Sequence, residues 1–212
     1  MDKGAITKLC KGRTKDQQEV IHYFCEERGC MNKGISDEQF DENKTKQINA
    51  LNLKQKALNK LGIDEDQVKE IDPICLIGPV YNGATYKMRG TDNVYRYSSY
   101  QITHIFCSSD QVYVYQYTVN LDSDEKKERA EEYFYKDIVN FTTIDETEEL
   151  EFEVKKGGCL GNATEIERFK VNTNSLKITV PGDVFNCAMV SNNKIEEQIQ
   201  ALKAKLREKK NA

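Results

Sequence analysis

Two histidines in 212 residues leave little material for imidazole acid–base chemistry. No nucleophile, base and orienting group stand at a spacing that would assemble a catalytic set. Long apolar runs are missing as well. None approaches the roughly 18 residues that a membrane span needs, and Met1-Asp2-Lys3-Gly4 leads into no stretch of signal-peptide length. A cytoplasmic, non-enzymatic protein is therefore expected. A surplus of positive charge is also lacking: 31 Lys and Arg against 35 Asp and Glu give a net charge of −4, which argues against wholesale nucleic-acid binding. Seven cysteines are present without a Cys-x-x-Cys knuckle and without an exported compartment to oxidise them, so free buried thiols are expected. By the same reasoning the sequons at Asn140 and Asn162 carry no glycan. The glycine-rich run Lys156-Gly157-Gly158-Cys159-Leu160-Gly161-Asn162 lacks the Gly-Lys-Ser/Thr ending of a phosphate cradle and reads as a connection between strands.

What is present divides by periodicity. From Thr14 to Ile71 the apolar spacing is helical. Thr14 caps a helix carrying Val20, Ile21, Phe24 and Cys25, with Gly29 as its stop. Ser36 with Gln39 opens a longer helix through Phe40, Ile48, Leu51, Leu58 and Leu61 to Gly62, and Asp64 with Gln67 opens a short one before Pro73. After Pro73 the period becomes two. Tyr95–Cys107 and Gln111–Leu121 form a hairpin across Ser108-Ser109-Asp110, with Tyr113, Tyr115, Tyr117, Val119 and Leu121 on one face and Val112 and Val114 on the other. Further strands are read at Cys75–Tyr81, Thr85–Arg89, Tyr133–Thr143, Leu150–Val154, Ile166–Val171, Leu176–Val180 and Val184–Val190. Pro181-Gly182-Asp183 marks a turn. Asn193 with Glu196 then caps a final helix whose Ile195, Ile199, Leu202 and Leu206 make one apolar stripe. That stripe needs an apolar partner, and the open end of the strand assembly is the natural one.

The run Tyr133-Phe134-Tyr135-Lys136-Asp137-Ile138-Val139, the strand Leu176-Lys177-Ile178-Thr179-Val180 and the Ile195–Leu206 helix together resemble the pleckstrin-homology-like (PH-like) domains of bacteria. The strand segments outnumber the seven of that family, and the helical N-terminal unit has no counterpart there. The resemblance implies a binding module for lipid headgroups, peptides or further copies of itself. The expected fold is α+β: a helical N-terminal unit over residues 1–72, then a PH-like bent antiparallel β-barrel or sandwich over 73–212 capped by the C-terminal amphipathic helix.

Candidate chemistry is sparse. Lys87, Arg89 and Arg96 flank the loop Gly90-Thr91-Asp92-Asn93, where the resemblance places a phosphate site and where charge-assisted hydrogen bonds would hold an anion. A solvated hairpin edge explains the same residues. Cys10, His22, Cys25 and Cys30 have zinc-ligand chemistry at poor spacing. His104 and Cys107, three apart on one strand, point to opposite faces and cannot share a proton. Tyr113, Tyr115 and Tyr117 could stack bases, but core packing explains them without added basic residues. A helix-turn-helix reading of the first third meets the acids Asp64, Glu65, Asp66 and Glu70. The sequence thus points to a module acting through a protein partner or self-association. No nucleic acid, cofactor or metal is expected, and anionic phospholipid or phosphate binding through Lys87, Arg89 and Arg96 at a membrane surface is the lesser alternative.

Overall fold

A computed structural model describes residues 1–26, 34–158 and 161–211, with the backbone alone over 152–158 and 161–167. The expected Gly29 stop, and Cys159 and Leu160 of the connection expected between strands, lie outside the described residues. The fold is α+β, with helices at both ends of the chain and antiparallel sheets between them.

Local chemistry sets most helix ends. Helix α1 (Lys3–Cys10), which the helical spacing from Thr14 onward does not reach, is capped by Asp2, whose carboxylate accepts from Ala5 N at 2.8 Å. Thr14 and Gln17 close a reciprocal capping box at the start of α2 (Lys15–Cys25), and Ser36 and Gln39 do the same for α3 (Asp37–Ala50). The long helix expected from Ser36 to Gly62 is broken: Asn52 turns left-handed at φ 45°, and α4 (Leu53–Leu61) starts afresh before Gly62 ends it at φ 66°. The short helix after Asp64 is a single 3-10 turn, Glu65–Gln67.

Strands β1 (Ile74–Pro79), β4 (Ser99–Cys107), β5 (Gln111–Asn120) and β6 (Lys126–Phe134) form a four-stranded antiparallel sheet in the order β1-β4-β5-β6. Strands β2 (Lys87–Arg89) and β3 (Tyr95–Tyr97) make a separate small hairpin between β1 and β4. Strands β7 (Asn140–Gly158), β8 (Gly161–Val180) and β9 (Asp183–Met189) form a three-stranded sheet. The segment expected as one strand, Tyr133–Thr143, is divided. A 3-10 turn at Tyr135–Asp137 carries the chain from one sheet to the other, pinned by Tyr135 N donating to Asp110 O at 3.1 Å and by buried Ile138. Conversely, the segments expected at Leu150–Val154, Ile166–Val171 and Leu176–Val180 belong to the two strands of one long ribbon, β7–β8.

The four-stranded sheet is the middle layer. Tyr100, Ile102, Phe106, Tyr115, Tyr117, Val119 and Leu121 face the N-terminal helices and share a core with Val20, Tyr23, Phe40, Leu53 and Leu58. Its other face presents Ile74, Leu76, Ile105, Val112 and Val114 to Leu176, Ile178 and Phe185 of the second sheet. The two sheets meet at a corner between β1 and β9, where Val190 N donates to Ile77 O at 3.0 Å. Gly78 is required there, because a Cβ would collide with the backbone of Ala188 and Met189. Among the described residues the sheets do not close into a barrel. Helix α5 (Asn193–Asn211) fills the open side instead, with Ile199, Leu202 and Leu206 buried in the inter-sheet core and Ile195 packed at its margin. The cap of α5 differs from expectation by one position: Asn192, not Asn193, accepts from Ile195 N at 3.0 Å.

Candidate functional site

Strand pairing decides where the basic residues of the β2–β3 hairpin point. Lys87 lies across from Tyr97, Met88 from Arg96 and Arg89 from Tyr95. Cross-strand partners share a face and neighbours alternate, so Met88 and Arg96 occupy one face while Lys87, Arg89, Tyr95 and Tyr97 occupy the other. The three residues named as an anion site are therefore not gathered. Lys87 and Arg89 are together, and Arg96 is turned away from them.

Arg96 is 3 % exposed. Its Nη1 and Nη2 donate to the two carboxylate oxygens of Asp92 at 2.9 and 2.8 Å, while Nη2 and Nε donate to Asp41 Oδ2 of α3 at 2.7 and 3.2 Å. Hydrogen bonds from Arg96 hold the Asp92 carboxyl well below the ordinary carboxylate range. Burial alone would raise Asp41, but hydrogen bonds from Arg96 and Lys44 outweigh it and hold this carboxyl low as well. The guanidinium charge is thus already matched from within the fold. One turn earlier on α3, buried Asp37 accepts from Thr91 N at 2.7 Å, Thr91 Oγ1 at 2.6 Å and Tyr23 Oη at 2.8 Å. Gly90 lies so close to Asp37 and Arg96 that a Cβ would sit 2.9 Å from Asp37 Oδ2. On the opposite face the Arg89 guanidinium lies 5.8 Å from the Tyr95 ring centroid and 5.7 Å from that of Phe169.

The second constellation escaped the sequence. His104 and Cys107 do point to opposite sides of β4: His104 stacks on Phe106 beneath the helices, and Cys107 enters the inter-sheet core. Yet the β1–β4 register sets Cys75 directly across from His104, with Sγ 4.0 Å from Nε2. Burial, with Lys54 adding to it, lowers the His104 pKa to about 4, and burial raises the Cys75 thiol. Both groups are uncharged at neutral pH, the opposite of the thiolate–imidazolium pair that cysteine catalysis uses. Only the long-range register could have revealed this neighbour.

The remaining sequence candidates disperse. Cys25 is buried with Ile6 and Ile21, Cys10 packs against that group, His22 Nδ1 lies 3.3 Å from Glu26, and Cys30 falls outside the described residues. Among the described residues no three His, Cys, Asp or Glu side chains converge as metal ligands. Tyr115 and Tyr117 are core residues under α4. Tyr115 Oη donates to Glu128 at 3.0 Å, and Lys56 lies 4.4 Å from the Tyr117 ring centroid. No helix among the described residues is long and apolar enough to cross a membrane.

One structural feature stands outside these groups. The β8–β9 pairing ends at Asn174 and Met189, while β7 and β8 continue pairing to Gly158 and Gly161. At about 3.4 Å per residue this two-stranded ribbon outruns the third strand by about 40 Å. Its base is covered by Tyr81, Tyr95 and Tyr97, which pack with Leu150, Phe169 and Val171. Comparison with known proteins adds no relative: no family model matches the chain, and neither a curated protein nor a solved structure matches it significantly.

Proposed function

We propose that this chain is a non-catalytic, cytoplasmic interaction module that engages a protein partner or a second copy of itself. The observation that carries the reading is β7: over its 19 residues it pairs with β8 alone, and no described strand is hydrogen-bonded to its outer edge. An unpaired edge of that length offers main-chain donors and acceptors to an added strand. The uncharged Cys75–His104 pair and the internally neutralised Arg96 both favour binding over catalysis or anion capture. The β half is read as PH-like. A four-stranded sheet, a three-stranded sheet and one C-terminal helix in the gap between them support this, with the β2–β3 hairpin as an insertion.

Sedimentation over a wide concentration range, with affinity capture from lysate in parallel, tests the proposal. A concentration-dependent mass, or a captured protein that binds again when purified, fits it. A monomer that binds no protein and turns over a metabolite refutes it.

A further inference from the structure

The β2–β3 hairpin has strands of three residues each, too short to hold a position by their own ladder. Its position comes from its two faces. One face is fastened to the helical layer. Arg96 is forked between Asp92 and Asp41 of α3, Thr91 gives two bonds to Asp37 of α3, and Met88 packs into the core that contains Phe40. The other face carries Tyr95 and Tyr97, and these form the cover of the ribbon base: Leu150 and Val171 are each only 6 % exposed, within a cluster completed by Phe169, Tyr81 and Ala84. Every described member of that cluster comes from segment 81–97 or from the ribbon itself. Tyr95 meets Phe169 at 5.9 Å between ring centroids, and Tyr81 meets Tyr97 edge-on at 5.4 Å.

We infer that the β2–β3 hairpin is a strut through which helix α3 orders the base of the β7–β8 ribbon. A two-stranded ribbon is marginal in water unless one face is covered, and here the cover is delivered by a hairpin whose seat is on α3. Loosening the carboxylate–guanidinium seat frees the hairpin, which uncovers Leu150 and Val171 and lets the ribbon base open. The two ends of the strut share no side chain: Arg96 serves one, its neighbours Tyr95 and Tyr97 the other. This inference concerns the order of the ribbon and holds whatever the ribbon binds.

Amide hydrogen exchange on the full chain tests it. The variants are Asp41→Asn and Arg96→Lys, with Thr91→Val as a milder change that removes a single bond to Asp37. The expected result is about tenfold faster exchange at residues 147–151 and 169–173 in the seat variants, with the β4–β5 pair unchanged. Two results overturn the inference: acceleration confined to residues 87–97, or equal acceleration in β4–β5 and the ribbon base. If the first two variants do not fold, Thr91→Val gives the same reading with a smaller change.

Discussion

Arg96 Nη2 lies 2.7 Å from Asp41 Oδ2, joining strand β3 to the second turn of helix α3. The guanidinium that the sequence offers as an anion ligand is used to seat one layer on another. Removing it leaves the Asp92 carboxylate without its ion-pair partner and Asp41 with Lys44 alone, at 2.8 Å. Arg96→Ala is expected to cost about 3 kcal/mol, while Arg96→Lys, which keeps the charge and loses the fork, costs about 1–2 kcal/mol. Urea denaturation at neutral pH measures both.

His104 gives the fold a specific acid sensitivity. Its folded pKa, about 4, lies below the ordinary histidine value, so between pH 6.5 and 4 the unfolded chain binds a proton that the folded chain does not. Stability is therefore fully present above pH 6.5 and falls as pH drops toward 4, by at most about 3 kcal/mol from this residue. Asp41 and Asp92, held below the usual carboxylate range, lose their contribution at still lower pH. His104→Gln should flatten the 6.5-to-4 portion of a urea-midpoint profile and leave the lower limb in place.

Leu202 of α5 is fully buried between the sheets, whereas Gln200 is exposed on the same helix. Leu202→Ala should cost about 2–5 kcal/mol through lost burial and the cavity left behind. Gln200→Ala should stay within about 0.5 kcal/mol. Thermal unfolding of the two variants separates a structural plug from a loosely attached tail.

Burial lifts the Cys107 thiol to about 11 and the Cys187 thiol to about 12. Neither supplies appreciable thiolate at pH 8. Iodoacetamide at that pH should leave both unmodified in the native protein and alkylate both in urea, as peptide mass spectrometry would show.

The legibility of the chain follows the range of the interactions concerned. Capping boxes at Thr14 and Ser36, the alternation of Tyr113 to Leu121 and the stripe from Ile195 to Leu206 are written in neighbouring residues, and each is found where the sequence places it. The break at Asn52 was hidden because Leu51 and Leu58 continue the apolar spacing through a residue that turns left-handed. The crossover at Tyr135–Asp137 was hidden because its aromatic residues look like strand until Tyr135 is seen bonded to Ser108 and Asp110. Site chemistry was least legible of all. The pairing of Cys75 with His104 and the seating of Arg96 on Asp41 both depend on which distant segments meet, which local periodicity does not contain.

N–H direction alternates along β7, which lets the free edge be tested separately from the ladder. Of two neighbouring residues, one aims its N–H at β8 and the other at the free edge. Glu148→Pro and Glu149→Pro, made singly, therefore remove one ladder donor and one edge donor, and proline is tolerated at an edge. Binding to a purified partner, or self-association where that is the mode, is then measured by sedimentation for the variant whose thermal unfolding matches that of the parent chain. An interaction module working through the β7 edge predicts at least a tenfold loss of affinity in that variant. Unchanged affinity in a fully folded edge variant contradicts the account.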